Sequence, residues 1–248
     1  MIDSLTIFLL SLSALATSII SATVGMAGGT VLLSILLLFF TPSISIPLHA
    51  ANQFVSNFRR CWLLRENIRW NFFGSYAVGA TIGNTFSAWL LKSTMTLEHS
   101  SLLIAVMIIY TVFKPKKLPS FTPHTRGFFF VGIFLGFLGM LIGATGLILG
   151  TCFVRDDMNK EEIMATQGVI QTYSHMLKVF GFLWLGFNYV PWLIPLAFMS
   201  VATFIGTTYG VSLVRKMSQQ LFNVLFRGVL VISAIQLLYK WSKVFVAN

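Results

Sequence analysis

Every stretch of this chain that is apolar and long enough to cross a membrane keeps carboxylates out of its interior, yet Arg59, Arg60, Lys178 and Arg227 fall inside such stretches. The acidic residues, Asp3, Glu66, Glu98, Asp156, Asp157, Glu161 and Glu162, all sit in predicted loops or at span ends. A charge in hydrocarbon costs several kcal/mol unless it is paired, hydrated or carried to the interface. Cations kept without acidic partners imply that the partner arrives from outside, as an anion. Lipid as solvent follows from composition. Mean hydropathy is +0.82 and 56% of residues are hydrophobic, more than the interior of a soluble chain of 248 residues could hide. The net charge of +10 lies mostly beside span ends, which fits orientation in a membrane better than nucleic-acid binding.

The predicted spans are 4–40 (interrupted), 47–66, 70–91, 97–113, 127–151 (interrupted), 161–183, 189–213 and 220–239, an all-α integral membrane fold of about eight helices. Thr41-Pro42, Lys114-Pro115, Pro119 and Pro123 punctuate them. Residues 1–24 lack a basic leader and run apolar into Gly25, so they are expected to be a retained first span. With 4–40 counted as one crossing, Arg65, Arg69, Lys114, Lys116, Lys117, Arg126, Lys240 and Lys243 share one side. Lys92, Arg155, Lys160, Arg215 and Lys216 take the other. Positive-inside then places both termini in the cytoplasm of a multi-pass cell-membrane protein; a re-entrant turn at Gly25 to Gly29 would instead shift the count and separate the termini.

The chain divides into a first membrane repeat (1–113), a polar linker (114–126) and a second repeat (127–248). Each repeat opens with a glycine-broken apolar helix: Gly25-Met26-Ala27-Gly28-Gly29 in one, Gly143-Ala144-Thr145-Gly146 in the other. Each continues with a polar-faced helix, Ala51-Asn52-Gln53-Phe54-Val55-Ser56-Asn57 matched to Ala165-Thr166-Gln167-Gly168-Val169-Ile170-Gln171. Gly79-Ala80-Thr81-Ile82-Gly83-Asn84 answers Thr203-Phe204-Ile205-Gly206-Thr207-Thr208. Four spans per half predicts repeats in the same orientation, with a binding site between them at mid-membrane.

This order of parts resembles the TauE/SafE group of sulfite and organosulfonate exporters over roughly residues 10–240. The resemblance implies a permease for small sulfur-containing or related anions. Its usual glycine triplet is reduced here to Gly28-Gly29-Thr30 and Gly146-Leu147-Ile148. Ser34 and Thr151 stand near the positions of a common proline.

Candidate substrate-binding residues follow from chemistry at the two breaks. A broken helix exposes N–H groups at the start of its continuation, where the helix dipole favours anions. That nominates Gly25, Gly28, Gly29 and Thr30, together with Gly143, Thr145 and Gly146. Asn52, Gln53 and Asn57, with Thr166, Gln167 and Gln171 in the other half, can donate to a desolvated oxyanion without adding charge; interhelical bonding is their plainer use. Arg227 lies about 14 Å into its span, too deep for easy snorkelling. Arg59, Arg60 and Lys178 are expected to snorkel to headgroups. His49 and His175 are the residues near the site that titrate near neutrality. Cys61 and Cys152 read as buried small hydrophobes and the six tryptophans as interfacial anchors. No nucleotide loop, metal-ligand cluster or nucleophile–base spacing appears, so neither an enzyme nor a cofactor is expected. The expected function is secondary transport of a small anion such as sulfite or an organosulfonate. A carrier of another organic anion or sulfur compound is the alternative, and a non-transporting membrane protein the remoter one. The expected partners are that anion and the lipid bilayer.

Overall fold

The computed structural model describes residues 3–25, 27–93, 123–153 and 155–225. Span 97–113, most of linker 114–126, most of span 220–239, Arg227 and Trp241 lie outside them. Within the described residues the regular structure is helical: α1 (Ser4–Val24), α2 (Ala27–Phe39), α3 (Pro42–Leu63), α4 (Trp70–Ser93), α5 (Phe128–Ile142), α6 (Gly146–Thr151), α7 (Lys160–Trp184) and α8 (Leu193–Lys216). Local chemistry sets several starts. Asp3 caps α1 by accepting from Thr6 N, Pro42 opens α3, and Asn159 with Glu162 forms a reciprocal capping box on α7.

The stretches 4–40 and 127–151, expected as single interrupted crossings, are helical hairpins. Leu10 and Ala14 of α1 cluster with Leu32 and Leu36 of α2, and Gly28 lies against Thr17 and Ser21, so α2 runs back along α1. In the second hairpin Phe153, just beyond α6, returns to Phe128 at the start of α5, with ring centroids 5.4 Å apart. The reason is length. α1, at 21 residues, already spans about 31 Å, while α2, at 13, covers only about 20 Å and cannot cross alone.

Helix directions follow from close contacts. α4 runs parallel to α5, since a methyl on Gly79 would meet Ile133 N at 2.9 Å and one on Gly83 would meet Phe137 N at 2.9 Å. α8 runs parallel to α1 by the same device: Gly206 faces Leu15 O at 2.5 Å and Gly210 faces Ile19 O at 2.8 Å. These two pairs are the most extensive among the described residues, and small residues let their backbones approach. α3 and α7 pack against each other antiparallel: His49 meets His175, while Cys61 meets Gly168 and Thr172. The expected matching orientation of the polar helices is therefore reversed.

The hairpins also redistribute the charges. Arg69 pairs with Glu162 at 2.8 Å, Arg155 donates to Pro123 O, and Arg215 donates to Leu63 O. Arg65, Arg69, Arg126, Arg155, Lys160, Arg215 and Lys216 thus gather at one end of the bundle, not at two. Asp3 and Lys92 mark the opposite end. Because the second hairpin doubles back on itself, the loop after α6 returns to the side of Arg126. At the cationic end Arg155 also grips Asp157 through two nitrogens and holds its carboxyl below the usual range.

Burial is inverted relative to a soluble protein. Phe8, Leu12, Val78, Ile82, Phe130, Ile194, Phe198 and Val201 are exposed, whereas Asn52, Gln167, Thr203 and Thr207 are fully enclosed. Trp62 and Trp70 lie near one end and Trp89, Trp184 and Trp192 near the other, the arrangement of two aromatic belts. By length and composition Ser4–Thr23, Thr125–Ile142 and Val190–Lys216 qualify as membrane spans. α3 and α7 are as long but more polar, because their polar residues face each other. Cys61 and Cys152 are both buried.

Candidate functional site

Both long hairpin helices end on a glycine with positive φ, Gly25 at 99° and Gly143 at 77°. Side-chain-bearing residues avoid this region, which lets each chain turn back at once. Each turn is held by a buried cation. Arg60 Nη1 donates to Gly25 O at 2.8 Å and to Ser21 O at 3.1 Å; Lys178 Nζ donates to Gly143 O at 2.7 Å. The C-terminal end of a helix carries negative potential, so a cation there is favourably placed. Arg60 and Lys178 are each 2% exposed, and the snorkelling expected of them is not found. The turn carbonyls lie inside the bundle, so the cations point inward to reach them. Arg59 behaves differently: it donates to Thr208 Oγ1 and sits 4.2 Å over the Phe204 ring.

From these cations two polar ladders extend along the facing helices. On α3 the ladder reads His49, Gln53, Asn57, Arg60; on α7 it reads Gln167, Gln171, His175, Lys178. The steps are four, four and three residues in both, which keeps each ladder on one helical face. The antiparallel packing sets the rungs against one another, and the His49 and His175 rings meet edge to face at 5.7 Å between centroids.

Some rungs are occupied by the protein itself. His49 Nε2 donates to Gly29 O at 2.8 Å, Asn57 Nδ2 donates to Gln53 O, and Arg60 Nη2 donates to Asn57 Oδ1. Thr203 Oγ1 donates to Asn52 Oδ1 at 3.0 Å, and Ser56 bonds Thr207. Other atoms are buried yet have no partner among the described residues: Asn52 Nδ2, Gln167 Nε2 and Oε1, Gln171 Nε2, Arg60 Nε, and Nδ1 of both His49 and His175. A buried polar group without a partner costs about 1–3 kcal/mol, so each of these seven atoms is expected to meet a water or a ligand.

Other predicted residues fall on both sides of this boundary. Gly29 faces the cluster, 3.2 Å from Gln53 Oε1 to a methyl built on it, and Thr30 Oγ1 is buried without a partner. Gly28 instead faces Thr17 and Ser21 of α1 and serves packing. Thr145 is buried at the start of α6, beside Gly146, but gives that helix no side-chain cap. With six residues, α6 offers little dipole. Thr166 accepts from Arg69 N at 3.0 Å, which ties it to the cationic end and away from the ladders. Arg227 lies outside the described residues. Among the described residues no cluster of His, Cys, Asp or Glu could hold a metal.

Arg60, Lys178, His49 and His175 are the site residues that the sequence-based selection left out. A signal for them existed: 118 residues separate Gly25 from Gly143 and the same number separates Arg60 from Lys178. That register also pairs His49 with Gln167 and Gln53 with Gln171. The expected pairing of Asn52 with Thr166 and Gln53 with Gln167 uses a spacing of 114, one helical turn shorter.

With this geometry in place, comparison with known families gives one result: the model described as Sulfite exporter TauE/SafE matches residues 10–237. Comparison with curated proteins and with solved structures yields no match.

Proposed function

The chain belongs to the TauE/SafE family of sulfite exporters, and on that footing we propose that it carries a small oxyanion, sulfite or an organosulfonate, through the space between the α3 and α7 ladders. The supporting observation is the set of buried, unpartnered amide donors flanked by Arg60 and Lys178, with every carboxylate of the chain outside the ladders. Oxyanions need several donors at short range and an environment that does not repel them.

The two halves are read as homologous but inverted, each contributing one hairpin, one ladder and one helix laid on the other half. Inverted repeats with broken helices at matching positions are a common basis of alternating access around a central site. The cation-rich end faces the cytoplasm in this reading, which places Asp3 outside. That revises the first expectation for the beginning of the chain; Asn248 lies outside the described residues. Outward movement of one negative charge across an inside-negative membrane releases about 2.3 kcal/mol per 100 mV, so potential alone can drive export.

The test is flux of radiolabelled sulfite in proteoliposomes under an imposed potential. Flux that follows the sign of the potential and disappears in Gln167→Ala supports the reading. Flux unchanged in that variant removes the ladders from the pathway, and no flux of sulfite or any sulfonate removes the substrate class.

A further inference from the structure

We propose that the molecule moves as two four-helix bodies that exchange members between the first and second parts of the sequence. One body is α1, α2, α3 and α8, the other α4, α5, α6 and α7, and they shift along the seam where α3 meets α7. This rests on the carrier reading above and adds which helices travel together. The side-chain bonds between helices sort in this way. α3 holds the first hairpin through Arg60 on Gly25 O and Ser21 O, and through His49 on Gly29 O. It holds α8 through Asn52 with Thr203, Ser56 with Thr207 and Arg59 with Thr208. α7 holds the second hairpin through Lys178 on Gly143 O, and α4 through Ser174 with Tyr76, Tyr173 with Thr81 and Leu177 O with Asn84. At the cationic end Arg215 donates to Leu63 O inside the first body, and Arg69, one residue before α4, pairs with Glu162 inside the second.

The seam itself is bonded sparsely. Between α3 and α7 the described residues make one hydrogen-bonding contact, Cys61 Sγ with Thr172 Oγ1 at a loose 3.9 Å, besides the edge-to-face contact of His49 and His175. Two further links cross near its ends. Lys160 reaches Gln219 Oε1 and Met217 O just beyond α8, and Tyr189, in the loop before α8, donates to Pro47 O at 3.4 Å. Elsewhere the facing surfaces are apolar, as where Leu33 and Ile46 meet Gly143. Pulling the first and second parts of the sequence apart would break every bond from α3 to α8 and from α4 to α7. Parting the two bodies spares all of these, and faces held mainly by apolar contact can slide by shear. The seam is also where Asn52 of one body and Gln167 and Gln171 of the other hold unpartnered amide atoms, so a guest there touches both.

Reducible cross-links test the division. Native Cys61 oxidised with Thr172→Cys, in a Cys152→Ala background, joins α3 to α7. Phe86→Cys with Phe137→Cys, bridged by a bis-thiosulfonate in a protein without the native cysteines, joins α4 to α5, where the two rings stack at 5.9 Å. Both links run from the first part of the sequence to the second, and only the α3–α7 link crosses the bodies. Sulfite flux in proteoliposomes should be lost on forming the α3–α7 link, return on reduction, and persist through the α4–α5 link. Flux through a fully formed α3–α7 link, or loss through the α4–α5 link, overturns the inference and leaves the carrier reading standing. If no tested anion moves even in the wild-type protein, the carrier reading falls, and spin-label distances decide the division without a substrate. Labels at Leu5 with Tyr209 and at Trp89 with Phe130 stay within one body, while Tyr209 with Phe130 spans the two; all four positions are exposed. The first two pairs should give narrow distance distributions and the third a broad or two-peaked one; equal widths overturn the inference. The same distances decide where Thr172→Cys fails to fold or to cross-link.

Discussion

Gly28 and Gly29 are neighbours in sequence that face different worlds, and the same substitution should separate packing from transport. A methyl at Gly28 would sit 2.7 Å from both Cβ and N of Ser21, where non-bonded carbons normally settle at about 3.5–4.0 Å. The α1–α2 hairpin would have to open by roughly 1 Å, and the obstructing atoms include backbone, which cannot rotate away. Overpacking of this kind costs about 1–3 kcal/mol, against a helix-propensity gain for alanine of at most about 1 kcal/mol. Gly28→Ala should thus lose about 1–2 kcal/mol, a Tm drop of roughly 2–8 °C for a chain of this size. At Gly29 the methyl meets the tips of Gln53 and His49 at 3.2 and 3.6 Å, and flexible side chains can shift by a few tenths of an ångström. Gly29→Ala should keep its Tm and lose transport, because the atoms that shift line the site. Thermal unfolding in detergent, paired with sulfite flux in proteoliposomes, reads both. A Gly28→Ala protein as stable as wild type, or a Gly29→Ala protein that transports normally, would refute the assignment of faces.

Asn52→Ala and Gln167→Ala should each abolish sulfite flux while membrane expression stays at the wild-type level, read by immunoblot alongside transport. Arg60→Met strips the caps from Gly25 O and Ser21 O and should destabilise by about 2–4 kcal/mol, each charged hydrogen bond being worth roughly 1.5–3; Arg60→Lys should restore part of the lost Tm. Cysteine at Ser4 should be labelled from outside intact cells and cysteine at Asn67 only after permeabilisation; the opposite pattern would invert the topology. Asp157 has its folded pKa depressed by Arg155, so its contribution holds above the unfolded carboxylate pKa and fades as pH falls below about 4. The Asp157 side chain is 63% exposed, and Asp157→Asn should shift Tm by no more than a degree or two at neutral pH.

Much of this was legible in the residues. Acid-free spans, positive clusters and tryptophan placement indicated a membrane protein, and paired glycine breaks located the two turns. The hairpins were written in length: residues 4–40 would extend roughly 55 Å as one helix, far more than a bilayer needs. Glycine alone does not distinguish a kink from a reversal, so the breaks were read as interruptions. The choice between the two registers has a different origin. Polar residues recur every four positions on both α3 and α7, so sliding one helix by a turn still sets amide against amide, as Gln53 against Gln167 shows. The turn glycines and the cations that hold them favour the 118-residue spacing. Arg60 and Lys178 were misread because a cation near a span end usually reaches for headgroups, and nothing local reveals that Gly25 and Gly143 present carbonyls inward.

The exchange of outer helices, α8 laid along α1 and α4 along α5, means that neither half owns the surface that buries its first helix. A chain severed between residues 93 and 123 should give two fragments that are each insoluble or degraded when made alone. Made together, they should reassemble, since their largest contacts lie between them. Motion during transport is constrained in the same way. A rigid body that includes α1 must take α8 with it, so the pieces that rock cannot coincide with the first and second parts of the sequence.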